Sequence, residues 1–278
     1  MPPPGPASGA GPAAAPGAAS PKDRFITVYG RNPVLEVLAD QSLDVFQVIL
    51  ADNARGPAAE EITAAATRRG VPVRRATAQR VKVLAGNGKQ DQGVLADVIA
   101  PRMRTLDAAL SGDRPPRSVL LLDGITTPGN VGMIIRTAAA AGIDGIVLPR
   151  RGTAGIDPLV VKASAGVAFR APVLRCGTSA DGAERLRSAG YRLFGLDGGA
   201  RRTLFGAALP TRAAFVLGAE TAGISEPVRP LVQEWLRIPM SGGVESLNVA
   251  CAAAVLCYEL VRRRTADGSA GNSAAGRA

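Results

Sequence analysis

Three short stretches hold the residues whose types and spacing could do chemistry. The first, GITTPGNVGMIIRTAAAAGIDGIVL at 124–148, follows the strand-like run SVLLLD and puts Asn130 and Arg136 on one helix. The neighbours of Arg136 at i−4 and i+4, Gly132 and Ala140, are both small. A guanidinium left so open can fork onto a phosphate or steady a developing oxyanion; an ordinary surface arginine is the alternative. The second, FVLGAETAGIS at 215–225, sets Gly218 and Glu220 just past a strand end. Ligands sit at that place in open α/β sheets, although glycines also simply end strands. The third, RIPMSGGVESLNVACAAAVLCYEL at 237–260, has Ser246 and Asn248 at the mouth of an apolar helix, where both types also serve as caps. Neither G-x-G-x-x-G nor G-x-x-x-x-G-K-[ST] occurs. The chain has no histidine, which removes Ser-His-Asp and Cys-His catalysis and His-containing zinc sites. Cys176, Cys251 and Cys257 lack C-x-x-C spacing, so no metal is expected and all three read as small buried hydrophobes in a reducing compartment.

The elements that position these residues follow from periodicity. Val131, Ile134, Ile135, Ala138 and Ala139 form one apolar helical stripe that should pack on a sheet, with Arg136 beside it. Strands are expected at SVLLLD, DGIVLP, APVLRC, YRLFGLD, AAFVLGA and LRIPM, with helices between most of them. That alternation predicts a mainly parallel sheet covered on both faces, over 118–264. The helix Val249–Leu260 is apolar all round and should be buried against the sheet or a partner subunit.

Upstream, a smaller α/β unit is expected over 24–100. A helix fits NPVLEVLAD, with Asn32 as cap and Pro33 at the first helical position. Strands fit VFQVILA, VPVRRA and GVLADVIA, and a second helix ends at Gly70. Residues 101–117, with three prolines and four arginines, read as a linker with one short helix. The Pro/Gly/Ala-rich residues 1–23 and the small polar residues 265–278 read as disordered tails, the first without the charged and leucine-rich regions of a signal peptide. No apolar run is long enough to cross a bilayer, so a cytoplasmic protein without a membrane partner is expected.

The formal net charge of +10 favours a polyanionic partner. Between Arg68 and Gln90 stand Arg68, Arg69, Arg74, Arg75, Arg80, Lys82 and Lys89 with no acidic residue, and Arg31 lies upstream. A basic run this unbalanced predicts an RNA-facing surface.

Taken in order, strand–loop–Asn130-x5-Arg136, LGAExxG at 217–223 and IPM…ESLNVA at 238–250 strongly resemble the SPOUT superfamily. Within it they resemble the SpoU/TrmH family of RNA ribose 2'-O-methyltransferases, across 118–262. VYGRNPVLEVL and DQGVLADV are similar to the L30-like substrate-binding domain of the 23S rRNA guanosine methyltransferase (RlmB) type, with Asp91 where that type often has His. The resemblance implies a C-terminal domain tied into a deep trefoil knot, against the general absence of knots. It implies S-adenosylmethionine held in a bent pose, with Gly218, Ile238 and Leu247, flanked by Leu217 and Met240, as cofactor contacts. It implies Asn130, Arg136, Glu220, Ser246 and Asn248 as active-site positions, and a homodimer.

Methyl transfer to a 2'-OH needs a poor nucleophile held in line and relieved of its proton. The resemblance makes Arg136 the base. An arginine that stays protonated suits a phosphate clamp better, which leaves Glu220 as the rival base. The expected function is S-adenosylmethionine-dependent 2'-O-methylation of a guanosine in 23S rRNA. The same chemistry on tRNA or on a thiopeptide-resistance site in rRNA is one alternative; a non-catalytic RNA-binding assembly factor is another.

Overall fold

In the computed structural model, which describes residues 24–86 and 91–275, the strands fall into two sheets. The expectations for residues 1–23, Lys89 and residues 276–278 lie outside the described residues. The first sheet is built from β1 (Phe25–Tyr29), β2 (Val45–Ala51), β3 (Val73–Ala76) and β4 (Val94–Ile99), in the order β1-β4-β2-β3. β4 runs antiparallel to β1 and β2, and β3 is parallel to β2. Alternation along the strands sends Ile26, Val28, Val48 and Leu50 into one core with α1 (Arg31–Ala39) and α2 (Pro57–Arg68). Tyr29, Ile49 and Leu95 face the other way, under Val81 of α3 (Ala78–Ala85).

The second sheet has eight strands in the order β10-β12-β9-β11-β6-β7-β8-β5, and every pairing is parallel. Their ranges are β5 Arg104–Thr105, β6 Ser118–Leu122, β7 Gly145–Pro149, β8 Val173–Cys176, β9 Arg192–Leu196, β10 Arg202–Thr203, β11 Ala213–Leu217 and β12 Glu234–Arg237. α5 (Pro128–Ala140), α6 (Pro158–Ala163) and α8 (Val249–Ala275) cover one face; α4 (Leu106–Leu110) and α7 (Ser179–Ser188) cover the other. The central strands are buried on both sides, which is why VLLL of β6 and AAFVL of β11 are apolar without interruption. One apolar cluster runs from Ile26 and Val28 through Ala100 and Met103 to Ile146 and Phe169, joining the two units.

Several expectations are corrected. α1 starts at Arg31 behind Gly30, whose φ of 92° suits glycine, so Asn32 is not its cap. β1 and α3 were not legible; α3 is marked only by the Thr77 hydroxyl, which accepts from Arg80 N, and by Gly86 at its end. The stretch 101–117 is more than a linker: β5 adds an edge to the large sheet, and Leu106 and Ala109 of α4 are buried in its core. The strand expected at LRIPM ends at Arg237, because Pro239 brings no N–H to continue a ladder. The helix expected to end at Leu260 continues to Ala275, through residues expected to be a disordered tail; no proline interrupts it there. Its face is also not wholly buried, since Tyr258 is 55% exposed. Cys251 is exposed on the same helix, unlike the buried Cys176 and Cys257.

Gly132 has a structural reason of its own. A β-carbon there would lie 2.5 Å from Ala163 Cβ and 2.8 Å from Val160 O, so the residue is small because α5 and α6 touch at this point. Helix propensity alone favours alanine over glycine by about 1 kcal/mol. Gly132→Ala should nevertheless destabilise the protein by about 1–3 kcal/mol in urea unfolding, because backbone atoms cannot move aside. A stabilised variant would show that the helices separate at little cost.

Candidate functional site

Parallel pairing puts the carboxyl ends of all eight strands along one edge. Beyond the ends of β9, β11 and β12 the chain forms three loops, and a cavity of about 360 Å³ opens between them. The predicted Leu217, Gly218, Ile238, Met240 and Leu247 all line it, together with Glu220 and Ser246. Residues from three loops, far apart in sequence, thus meet at one cavity.

The loop after β11 is fixed at both ends. Ala219 N donates to Gly223 O at 3.0 Å and Gly223 N donates to Ala219 O at 2.8 Å, closing a tight turn with Gly223 at φ +66°. A β-carbon on Gly218 would lie 2.3–2.5 Å from the backbone of Gly223 and Ile224. Gly218 is therefore demanded by the loop's own closure, while it also lines the cavity. At the far end Ser225 N and Oγ donate to the buried Asp123 carboxylate at 2.7 and 3.0 Å, and Ser179 Oγ reaches it at 2.6 Å. Asp123 closes the end of β6 by donating its N–H to Leu217 O at 2.9 Å, so one carboxylate ties the loop to the sheet.

Asn248 joins the third loop to the other two motifs. Its Oδ1 accepts from Ala250 N at 2.9 Å and Cys251 N at 3.3 Å, capping α8. Its Nδ2 donates to Asn130 Oδ1 at 3.1 Å and to Glu220 Oε1. The capping and site readings of Asn248 therefore hold together. Ser246 lies in the exposed run just before the helix and makes no side-chain hydrogen bond among the described residues.

Arg136 is not gathered with them. It is exposed, and six residues beyond the buried Asn130 it points about 240° further round α5. It shares an exposed strip with Met133 and Ala140. With Gly132 occupied by α6, the openness read around Arg136 rests on Ala140 alone.

The cavity also has walls that the motifs did not show. Trp235, the single tryptophan, lies across Gly195, where a β-carbon would come within 2.8 Å of the indole. Arg229 stacks on the indole at 4.7 Å from the ring centroid. The carboxylates of Asp197 and Glu245 stand at the rim. The chain's single tryptophan, just before the LRIPM stretch, was the available signal for the first of these. Apolar walls, backbone groups and nearby carboxylates suit a ligand with a flat ring at one end and a positive charge at the other. Among the described residues no group of three or more His, Cys, Asp or Glu could hold a metal ion.

The basic surface of the first unit divides in two. Arg31, Arg68, Arg74 and Arg80 are exposed. Arg69 instead donates to Val37 O at 2.8 Å, Leu38 O at 3.3 Å and Leu43 O, clamping the end of α1. Arg75, although exposed, also donates to Ala51 O at 3.0 Å and Ala54 O at 2.9 Å. Asp91 is buried, and its Oδ1 accepts from Gly93 N at 2.7 Å to shape the turn into β4.

This arrangement can be set beside known proteins. The sequence pattern of the SpoU rRNA Methylase family matches residues 117–258, and that of RNA 2'-O ribose methyltransferase substrate binding matches residues 27–104. The 23S rRNA (guanosine-2'-O-)-methyltransferase RlmB of Xylella fastidiosa is 34% identical over 241 residues, covering 86% of this chain and 96% of its own. The protein of the same name from Xanthomonas campestris is 33% identical, over 85% of this chain and 96% of its own. The SpoU methyltransferase AviRb from Streptomyces viridochromogenes, solved in complex with the cofactor AdoMet, superposes with a TM-score of 0.58 at 27% identity, over 88% of this chain and 92% of that one. The three motifs, the substrate-binding unit and the parallel sheet agree with both sets of relatives: the chain belongs to the SpoU rRNA methylase family.

Proposed function

We propose that this protein transfers the methyl group of S-adenosylmethionine to a ribose 2'-OH, and that its target is a guanosine in 23S rRNA. The observation that carries the reading is the hydrogen-bonded series Asn130–Asn248–Glu220, set at the cavity lined by Leu217, Gly218, Ile238 and Leu247. The guanosine target comes from the RlmB relatives, which cover nearly their whole length in this chain.

The cavity fits the cofactor. Leu217, Ile238 and Leu247 offer apolar surface for the adenine, the strand-end backbone offers hydrogen bonds, and the carboxylates of Asp197, Glu220 and Glu245 suit a cationic methyl donor. S-adenosylmethionine supplies an electrophilic methyl group. The protein's part is to bring the 2'-oxygen in line with it and to take up the proton. Glu220, oriented by Asn248 Nδ2, is the proton acceptor in this reading. Arg136 holds the adjoining phosphodiester through its fork of donors in this reading. Ser246, exposed and at the cavity, is placed to hydrogen-bond the ribose.

The working form in this reading is a homodimer. Met133 and Arg136 of α5 and Cys251 and Tyr258 of α8 leave an exposed, partly apolar face on two helices that pack together. Covering it with a second copy buries that apolar surface and brings Arg136 to the seam. The C-terminal segment follows a trefoil knot in this reading, supported by the path of β11 between β9 and β6 before β12 returns on the far side of β9. A cytoplasmic setting suits the free, buried thiols of Cys176 and Cys257, whose pKa burial raises to about 12.

Purified enzyme, labelled cofactor and unmodified 23S rRNA should give 2'-O-methylguanosine at one site, seen as local resistance to alkaline cleavage; label on a base would refute ribose chemistry. Arg136→Ala should still fold and bind cofactor in calorimetry but lose methyl transfer on the order of 100-fold, as for one well-placed electrostatic group. Full activity would return Arg136 to an ordinary surface residue. Tyr258→Glu together with Met133→Glu should halve the mass seen by light scattering, whereas an unchanged mass places any interface elsewhere. The two classes of basic residue should separate. Arg74→Glu should weaken RNA binding and flatten its salt dependence at unchanged stability. Arg69→Ala should cost about 1–3 kcal/mol in unfolding, because three carbonyls lose their donor.

A further inference from the structure

The carboxyl edge of the large sheet carries a second cleft. β7 and β8 end there, and a cavity of about 570 Å³ lies between that edge and β1 of the first unit. Its two walls differ in chemistry. Arg150, Arg175 and Asp157 stand on one side, and Phe25, Thr27 and Tyr29 on the other.

Arg175 makes no hydrogen bond or ion pair among the described residues, and its Nη1 is shut off from solvent with no partner. Burial, and then the positive charge of Arg150, lowers its pKa to about 10, which still leaves it a cation at neutral pH. A guanidinium held with unmet donors is costly unless an anion completes it. The acid in the cleft does not do so: Asp157 Oδ1 accepts from Val160 N at 2.9 Å and caps α6. Across the cleft, Phe25 stacks on Phe46, with centroids 4.8 Å apart and planes 24° from parallel. Phe46 is 45% exposed, and the pair lies beyond the part of the sheet that α3 covers.

We infer that this interdomain cleft takes a nucleotide of the RNA strand flanking the methylated residue, with its phosphate on Arg175 and Arg150 and its base against Phe25. The inference rests on the RNA methyltransferase reading above and adds a binding site to it. Fixed positive charge beside an aromatic platform is the chemistry by which proteins hold unpaired nucleotides. β8 lies three strands from β11, roughly 14 Å at the usual spacing between strands. One RNA strand laid along the carboxyl edge therefore reaches both clefts.

The test compares Arg175→Met and Phe25→Leu with the wild type, using purified 23S rRNA in salt titrations of binding and calorimetry for the cofactor. Both variants should bind S-adenosylmethionine as the wild type does. Arg175→Met should bind RNA more weakly, with a log–log salt slope smaller by about 0.7, the value for one single-strand phosphate contact. Phe25→Leu should weaken binding about tenfold at unchanged slope, as for loss of one stacked base. If Arg175→Met does not fold, Arg150→Ala at the rim of the cleft should show the same loss of slope. Wild-type affinity and slope in the folded arginine variant, or in Arg150→Ala in its place, overturn the inference. Absent methyl transfer by the wild type, with these slope changes intact, would remove the enzymatic reading and leave the cleft standing.

Discussion

All the pairings of the large sheet run in one direction, and the placement of the site depends on that constraint. A parallel pair cannot close with a tight turn, so each return crosses a face of the sheet, and every strand hands its chain to a loop at the same edge. Motifs nearly one hundred and twenty residues apart, such as Asn130 and Asn248, meet there with no local signal of their proximity. The covering helices leave the central strands no solvent face, and this accounts for their unbroken apolar runs.

The edge is held by closely packed atoms more than by side-chain bulk. Gly218 admits the backbone of Gly223, Gly195 admits the Trp235 ring, and Gly132 admits α6. Asp123 then fastens the loop after β11 to the sheet. Rigidity of this kind suits a reaction whose rate depends on holding two reactants in line.

Much of this was legible in the sequence. Periodicity located the central strands and α5, and the second and third motifs named residues that line one cavity, to which Asn130 of the first is joined through Asn248. What the sequence misled about has a common physical cause. Small and charged residues were read as facing a ligand, whereas several serve the protein's own backbone, alone or as well: Gly132 meets Val160 O, Gly218 meets Gly223, and Arg69 and Arg75 satisfy carbonyls. A guanidinium binds a carbonyl or a phosphate through the same donors, so its residue type alone cannot distinguish them. Arg136 is the converse case. Its motif was plain, but its direction on α5 follows from which side of the helix meets the sheet, and that depends on packing partners distant in sequence.

The double use of Asn248 narrows what can stand at that position. Its carbonyl oxygen starts α8 while its amide nitrogen serves Asn130 and Glu220. Aspartate would begin the helix as well but has no N–H to give, and serine has one hydroxyl hydrogen for two acceptors. Only an amide supplies both halves. Fraying of the first turn of α8 would release Glu220 in the same event, so the dynamics of a helix end and the readiness of the site are one equilibrium.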